Sequence, residues 1–177
     1  MRILLWIIAI IFNSIFCFAQ FELESEVFRV VLADNAMNKK IYISCEKPRT
    51  RFEYLDFNES SGLEVPIEII EELNRSSEKS RGGSWDSIFP LKSELASDYL
   101  KSEKCISKDD IDSLMIKKNY DTSIFNISEP IFDEKFEHCI VSFTCIRPKG
   151  SAYGSSYFLK KVYGSWIVIA VFDSWIS

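Results

Sequence analysis

Apolar and polar residues alternate with period two over His138–Arg147: Cys139, Val141, Phe143 and Cys145 fall on one side, Ile140, Ser142, Thr144 and Ile146 on the other. That spacing predicts a strand, because successive side chains of an extended chain point to opposite faces. Tyr157–Tyr163 and Trp166–Phe172 are two further extended stretches, and Tyr163-Gly164-Ser165 between them has the composition of a tight hairpin turn. The C-terminal third is therefore predicted to be a three-stranded antiparallel meander, with Pro148–Ser155 as a Gly- and Ser-rich loop between its first two strands. Trp166–Phe172 is apolar on both faces. A strand of that kind seldom lies bare at a sheet edge, so a neighbouring strand, Ile41–Cys45 in the first place, or a covering helix is expected beside it.

The first two thirds of the chain follow a different period. Glu22–Ala33 begins acidic and turns apolar, with Val27, Val30, Val31 and Ala33 near helical spacing. Val65–Asn74 reads as a second helix, with Pro66 at its first position and a stripe of Ile67, Ile70 and Leu73 or Asn74. Ser107 opens a third, with Asp110 three positions on in a near-capping-box arrangement and Ile111, Leu114, Met115 and Lys118 on one face. Lys40–Cys45 alternates as a strand does, and Arg51–Phe57 is a less regular strand candidate. Arg75–Ser84 is polar and Gly-containing and reads as a flexible connection, followed by the apolar Trp85, Ile88 and Phe89. Helices first and a meander last predict an α+β fold: helices in the N-terminal two thirds packed on an antiparallel sheet.

The extreme N-terminus has a third character. Arg2 precedes an unbroken apolar run, Ile3–Phe12; Asn13 and Ser14 interrupt it, and Ile15–Ala19 resumes it. Cys17 and Ala19 then stand at the −3 and −1 positions of a cleavage site, so residues 1–19 are expected to be an export signal and residues 20–177 a single exported domain. An uncleaved anchor is the alternative, but spanning a bilayer takes about 20 apolar residues and this segment falls short. Phe16 before Cys17 argues against a lipid-modified cysteine. No second long apolar run follows, so no membrane span is expected after cleavage.

Export changes how the cysteines read. Cys17 leaves with the signal, and Cys45, Cys105, Cys139 and Cys145 remain. An even number in an exported domain suggests two disulfides; buried free thiols are the alternative. Cys139 and Cys145 lie on one predicted strand, about 20 Å apart at about 3.3 Å per residue, beyond the roughly 7 Å that a bridge spans. If both bridges form, Cys45 and Cys105 must each reach one of that pair.

Charge narrows the partners. The chain carries a net charge of −5, and removal of Arg2 makes the remainder slightly more acidic. An acidic domain repels phosphate backbones, so nucleic acid is not an expected partner. An unknown protein or small molecule is.

Catalytic constellations are missing, and no catalytic, cofactor or metal residue is assigned. His138 is the only histidine, and it adjoins Cys139 on a strand, where neighbours face opposite ways and cannot form a nucleophile pair. It reads as a surface or strand-start residue. Gly150–Ser156, beside Arg147 and Lys149, could hold an anion but lacks the P-loop pattern; a hairpin connection with positive φ at its glycines is the simpler reading. Glu71, Glu72, Asp109, Asp110 and Asp112 read as solvated helix surface. The spacing of a structural zinc site is absent.

Ile127-Ser128-Glu129-Pro130-Ile131-Phe132, the alternating strand, the Gly/Ser loop, Tyr157–Lys161, Gly164-Ser165-Trp166 and the terminal Trp175-Ile176-Ser177 together resemble an uncharacterised group of small exported bacterial proteins. The resemblance covers roughly the last 50 residues. It implies a periplasmic or extracellular location and brings no activity or cofactor. The leading expectation is a non-enzymatic binding or interaction module. The alternatives are a pocket-bearing enzyme or small-ligand carrier of nuclear-transport-factor-2-like type, and a secreted inhibitor or immunity-type protein.

Overall fold

A computed structural model of the protein describes residues 22–35, 41–85, 104–116, 122–147 and 150–177. Residues 1–19, read above as an export signal, together with Ile88, Phe89, Lys118, Pro148 and Lys149, lie outside the described residues.

The described chain is α+β, with four helices around a mixed six-stranded sheet. Helix α1 covers residues 22–35. Strands β1 (Tyr42–Ile43) and β2 (Glu46–Lys47) follow, then helices α2 (Tyr54–Ser61) and α3 (Ile67–Lys79) and strand β3 (Gly83–Ser84). Helix α4 (Lys108–Ile116) precedes β4 (Ile124–Ile127) and β5 (Ile131–Phe132). The meander is β6 (His138–Ile146), β7 (Ala152–Val162) and β8 (Ser165–Ile176).

The main sheet runs β1-β4-β6-β7-β8, with β5 also pairing β6, while β2 and β3 form a separate small ribbon. β1 lies parallel to β4, so the sheet is mixed where a wholly antiparallel one was expected. The parallel part continues through a bridge between Ser44 and Ile106, beside which Cys45 and Cys105 form a disulfide. Cys139 and Cys145 are free buried thiols, so neither bridge expected between the two pairs is present. The reason is topological. Cys45 leaves the sheet alongside Ile106, while Cys139 and Cys145 point into the packed interior from β6.

Helix α1 covers one face of the sheet. Val27, Phe28, Val31 and Leu32 are its buried apolar residues, packed with Ile43, Trp85, Phe125, Val141, Phe143 and Leu159. Ala33, expected in the stripe, is exposed, because the buried positions are the adjacent pairs Glu24–Ser25, Val27–Phe28 and Val31–Leu32, which fall on one side of the helix. Helices α2 and α3 cover the other face, where Phe57, Ile70 and Leu73 meet Ile140, Phe158 and Phe172. Phe57 anchors this layer through edge-on contacts with Phe52, Phe158 and Phe172, centroids 5.0–5.6 Å apart.

Three local expectations change. Arg51–Phe57 is the lead-in to helix α2: Phe52 and Phe57 are buried while Tyr54 and Leu55 point outward, a spacing that fits a helix and not a strand. Pro66 is the N-cap of α3, one position before its expected place, and Ile67 is exposed. Arg75–Ser84 is mostly ordered secondary structure. Helix α3 runs to Lys79, and its inward stripe passes from Ile70 and Leu73 to Ser76 and Ser77. Ser76 Oγ donates to Phe132 O (2.7 Å), and Ser77 Oγ donates to Thr50 O and accepts from Phe52 N–H (both 3.0 Å). A serine-rich composition imitates a linker, yet here the hydroxyls satisfy main-chain groups of the neighbouring segments.

The hairpin turn and the capped helix stand as expected. Tyr163 (φ 50°) and Gly164 (φ 83°) form a two-residue turn with both central residues left-handed. Ser107 Oγ accepts from Asp110 N–H at 3.2 Å, and Asp110 Oδ2 accepts from Ser107 N–H at 3.2 Å. Ile111, Leu114 and Met115 form the half-buried face of α4.

Candidate functional site

His138 and Asp133 form a close, buried pair of a basic and an acidic side chain. His138 Nδ1 lies 2.8 Å from Asp133 Oδ2, and both side chains are buried. The pair has a local structural cause. Asp133 Oδ1 accepts the N–H groups of Glu137 (2.7 Å) and His138 (3.0 Å), closing the β5–β6 turn in which Phe136 takes a left-handed φ of 55°. The imidazole stacks on Phe158, centroids 5.8 Å apart. His138 does start a strand, but it is buried where a surface position was also in view. Cys139 points to the opposite face, packed under α1, and burial pushes its thiol well above the ordinary cysteine range. A buried thiol of that kind is a poor nucleophile.

Two of the remaining acidic candidates also serve the fold, while Glu71, Asp109 and Asp112 are exposed. Glu72 Oε2 accepts Glu134 N–H (2.9 Å) and so ties α3 to the β5–β6 turn, while Asp110 caps α4. Ala152–Ser156 belongs to β7 and is paired with β6, so only Gly150 and Ser151 of the supposed anion loop Gly150–Ser156 lie outside a strand. Gly150 has the positive φ (80°) expected of a hairpin glycine; Gly154 does not, and serves a different need. A Cβ there would stand 2.8 Å from the Trp175 indole, so glycine makes room for tryptophan. Arg147 lies over the Tyr153 ring at 5.2 Å. Among the described residues no group of His, Cys, Asp and Glu could hold a metal ion.

Glu129 forms a second polar centre, which sequence reasoning treated only as part of a motif. Its Oε2 accepts from Ser80 Oγ (2.6 Å), Arg81 N–H (3.0 Å) and Gly82 N–H (2.9 Å). Thr50 Oγ1 meets both Ser128 Oγ and the Glu129 carbonyl, and Ser128 Oγ accepts from Ser142 N–H at 2.8 Å. These bonds pin the end of α3, the segment before α2 and strand β6 to one point. No ligand-facing role follows from them.

The feature that the fold does not use up is β8. This strand of twelve residues ends the sheet, and no described strand pairs with its outer edge. Ile41–Cys45, expected beside it, lies at the opposite end of the sheet against β4. Chain order explains this: β1 pairs parallel with a strand that enters the sheet before the meander begins. The alternative expectation, a covering helix, holds for part of each face: α2 packs through Phe57 on Phe172, and Trp166 is buried in the cluster that contains the inward residues of α1. Ile167, Ile169 and Val171 remain 40–45 % exposed, and Trp175 is 43 % exposed. Tyr54 and Leu55 on the outer side of α2, the helix that packs on β8, are exposed as well. The register shift at Ile169 is a bulge, which explains how both faces of β8 come to show apolar side chains. Ser165–Phe172 contains no charged residue.

No family model matches the chain, and no curated protein or solved structure does.

Proposed function

We propose that this protein is an exported, non-enzymatic binding module that engages an extended segment of a partner along the outer edge of β8. The observation that carries the reading is the uncharged stretch Ser165–Phe172, whose outer edge no described strand pairs and which contains the exposed Ile167, Ile169 and Val171. An edge of this kind offers main-chain donors and acceptors on either side of the bulge at Ile169, and of the devices by which natural proteins blunt such edges, charge and proline are missing from Ser165–Phe172. Strand addition uses those groups for affinity and the alternating side chains for specificity. Export is supported by the N-terminal segment read above and by the Cys45–Cys105 disulfide, which suits an oxidising compartment. The C-terminal resemblance to small exported bacterial proteins points to the periplasm or the cell exterior.

A dye-labelled peptide of sequence 165–176, made soluble by three added lysines, tests the reading. Its fluorescence anisotropy should rise on titration with the protein, and the Ile169→Lys variant should weaken binding at least about tenfold, the effect of a charge set in an apolar contact. An unchanged anisotropy up to high protein concentration would refute the proposal.

A further inference from the structure

We infer that the occupant of the β8 edge is a basic segment of a partner protein, with lysine or arginine on the side that faces α2 and apolar residues on the other. The inference rests on the reading of the β8 edge as the binding surface and names the chemistry of its occupant.

Charge selects the occupant. Phe52–Asn74, which holds α2 and most of α3, carries seven carboxylates and neither lysine nor arginine, against a net charge of −5 for the whole chain. Glu53, Asp56 and Glu59 belong to its α2 part. All three are exposed, and none joins an ion pair among the described residues. Helix α2 packs on β8, with the Phe57 ring 5.0 Å from that of Phe172. Asp56 adjoins Phe57 in the chain, so its carboxylate lies on the order of 10 Å from this end of the edge, about one Debye length at 0.1 M salt. Asp173, the one charged residue of β8, is exposed and acidic too. The charges that α2 and β8 bring to this end of the edge are therefore all negative. Lys160 and Lys161 of β7 stand at the other end, opposite Ile167 and Trp166.

The faces of the edge set the pattern of the segment. The bulge at Ile169 divides β8, and the run beside α2 is Ala170–Phe172. Ala170 and Phe172 belong to the core layer that α2 covers, so Val171 between them points to the opposite face, where it is 45 % exposed. A strand added here meets carboxylates on one side and Val171 on the other, which calls for alternating basic and apolar residues. So short a run gives few main-chain bonds, and attraction between opposite charges then decides which segment is held and how fast it arrives. The same carboxylates repel phosphate backbones.

Dye-labelled peptides of about eight residues test this by fluorescence anisotropy: alternating Lys-Val, alternating Ser-Val, and Lys-Val N-methylated at every amide, which keeps the charge and removes the donors of strand pairing. Lys-Val should bind at least about tenfold more tightly than Ser-Val in about 20 mM salt, the sum of a few exposed ion pairs, and this advantage should fade towards about 500 mM. The methylated peptide should not bind. Asp56→Lys combined with Glu59→Lys, both at exposed positions, should abolish the advantage of Lys-Val while the circular dichroism stays unchanged. Equal binding of Lys-Val and Ser-Val, an advantage that survives the double variant, or equal binding of the methylated peptide would overturn the inference, the last by reducing it to diffuse attraction. The peptide comparison decides if the double variant fails to fold. Binding of the 165–176 peptide without binding of Lys-Val would remove the basic partner while leaving the edge as a binding surface. Failure of both would remove both.

Discussion

The indole of Trp175 occupies the space that a side chain at position 154 would need. A Cβ on Gly154 would lie 2.8 Å from Trp175 Nε1 and 2.8 Å from Phe143 O. Gly154 pairs with Trp175 across β7–β8, and the left-handed Asp173 (φ 50°) lies within the register shift that brings the two together. Gly154→Ala is therefore expected to cost about 1–3 kcal/mol of stability, the range for overpacking. Adding Trp175→Ala should recover only part of the loss, because the contact with the Phe143 carbonyl stays. Urea unfolding of the three variants measures this; an undiminished midpoint for Gly154→Ala would show that the strand adjusts freely.

Glu129 accepts three hydrogen bonds at the end of α3. Bonds to a charged acceptor contribute about 1.5–3 kcal/mol each when isolated, and part of that is lost where water can replace the carboxylate. Glu129→Ala should destabilise the protein by about 2 kcal/mol, and amide exchange should speed up first at Arg81 and Gly82. A uniform acceleration across the whole sheet instead would mean that the pin is not local.

The thiols should divide into two classes. Cys139 and Cys145 are buried, so a maleimide should label neither in the folded protein and both after unfolding. Cys45 and Cys105 should appear as one linked peptide pair before reduction. Replacing both by Ala removes a bridge between residues 60 apart in sequence and should cost about 2–4 kcal/mol. A native link between Cys139 and Cys145 would contradict the single-strand placement of β6.

Tyr157 should ionise late. Burial pushes its phenol up to about 12, the Asp34 charge adds to that, and the hydrogen bond from Asn35 opposes it. A phenol raised in the folded state binds its proton more tightly there than in the unfolded chain, where it ionises near 10. Its contribution to stability is thus complete below pH 10 and is lost as the pH rises from 10 to 12. Absorbance titration at the tyrosinate band should lose amplitude only in that upper window in Tyr157→Phe. Loss of amplitude near pH 10 would show that the ring is reached by water.

Much of the fold was legible because period and composition agreed. His138–Ile146 alternates cleanly, Tyr163-Gly164 is strong turn chemistry, and Ser107 with Asp110 makes a local cap; each depends on residues close in sequence. The errors arose where distant partners decide. Phe52 and Phe57 suit a strand or a helix until Phe158 and Phe172 provide the surface for a helix. Ser76, Ser77 and Ser80 look like a linker until Thr50, Phe132 and Glu129 supply their partners. The Cys45–Cys105 pairing depends on a parallel bridge between Ser44 and Ile106 that no local pattern announces. The candidate site was half visible: the two-sided apolar character of Trp166–Phe172 was plain, but its position at the sheet edge follows from topology. Gly154 was noticed as a loop glycine, and only the fold shows that it answers to Trp175.

The most direct measurement of the β8 reading is amide hydrogen exchange with and without the 165–176 peptide. Bound peptide should slow exchange at the outward-facing amides of Ser165–Phe172, while β4, β6 and the helices keep their rates. Slowing confined to another surface, or none under conditions where the peptide is bound, would contradict the account.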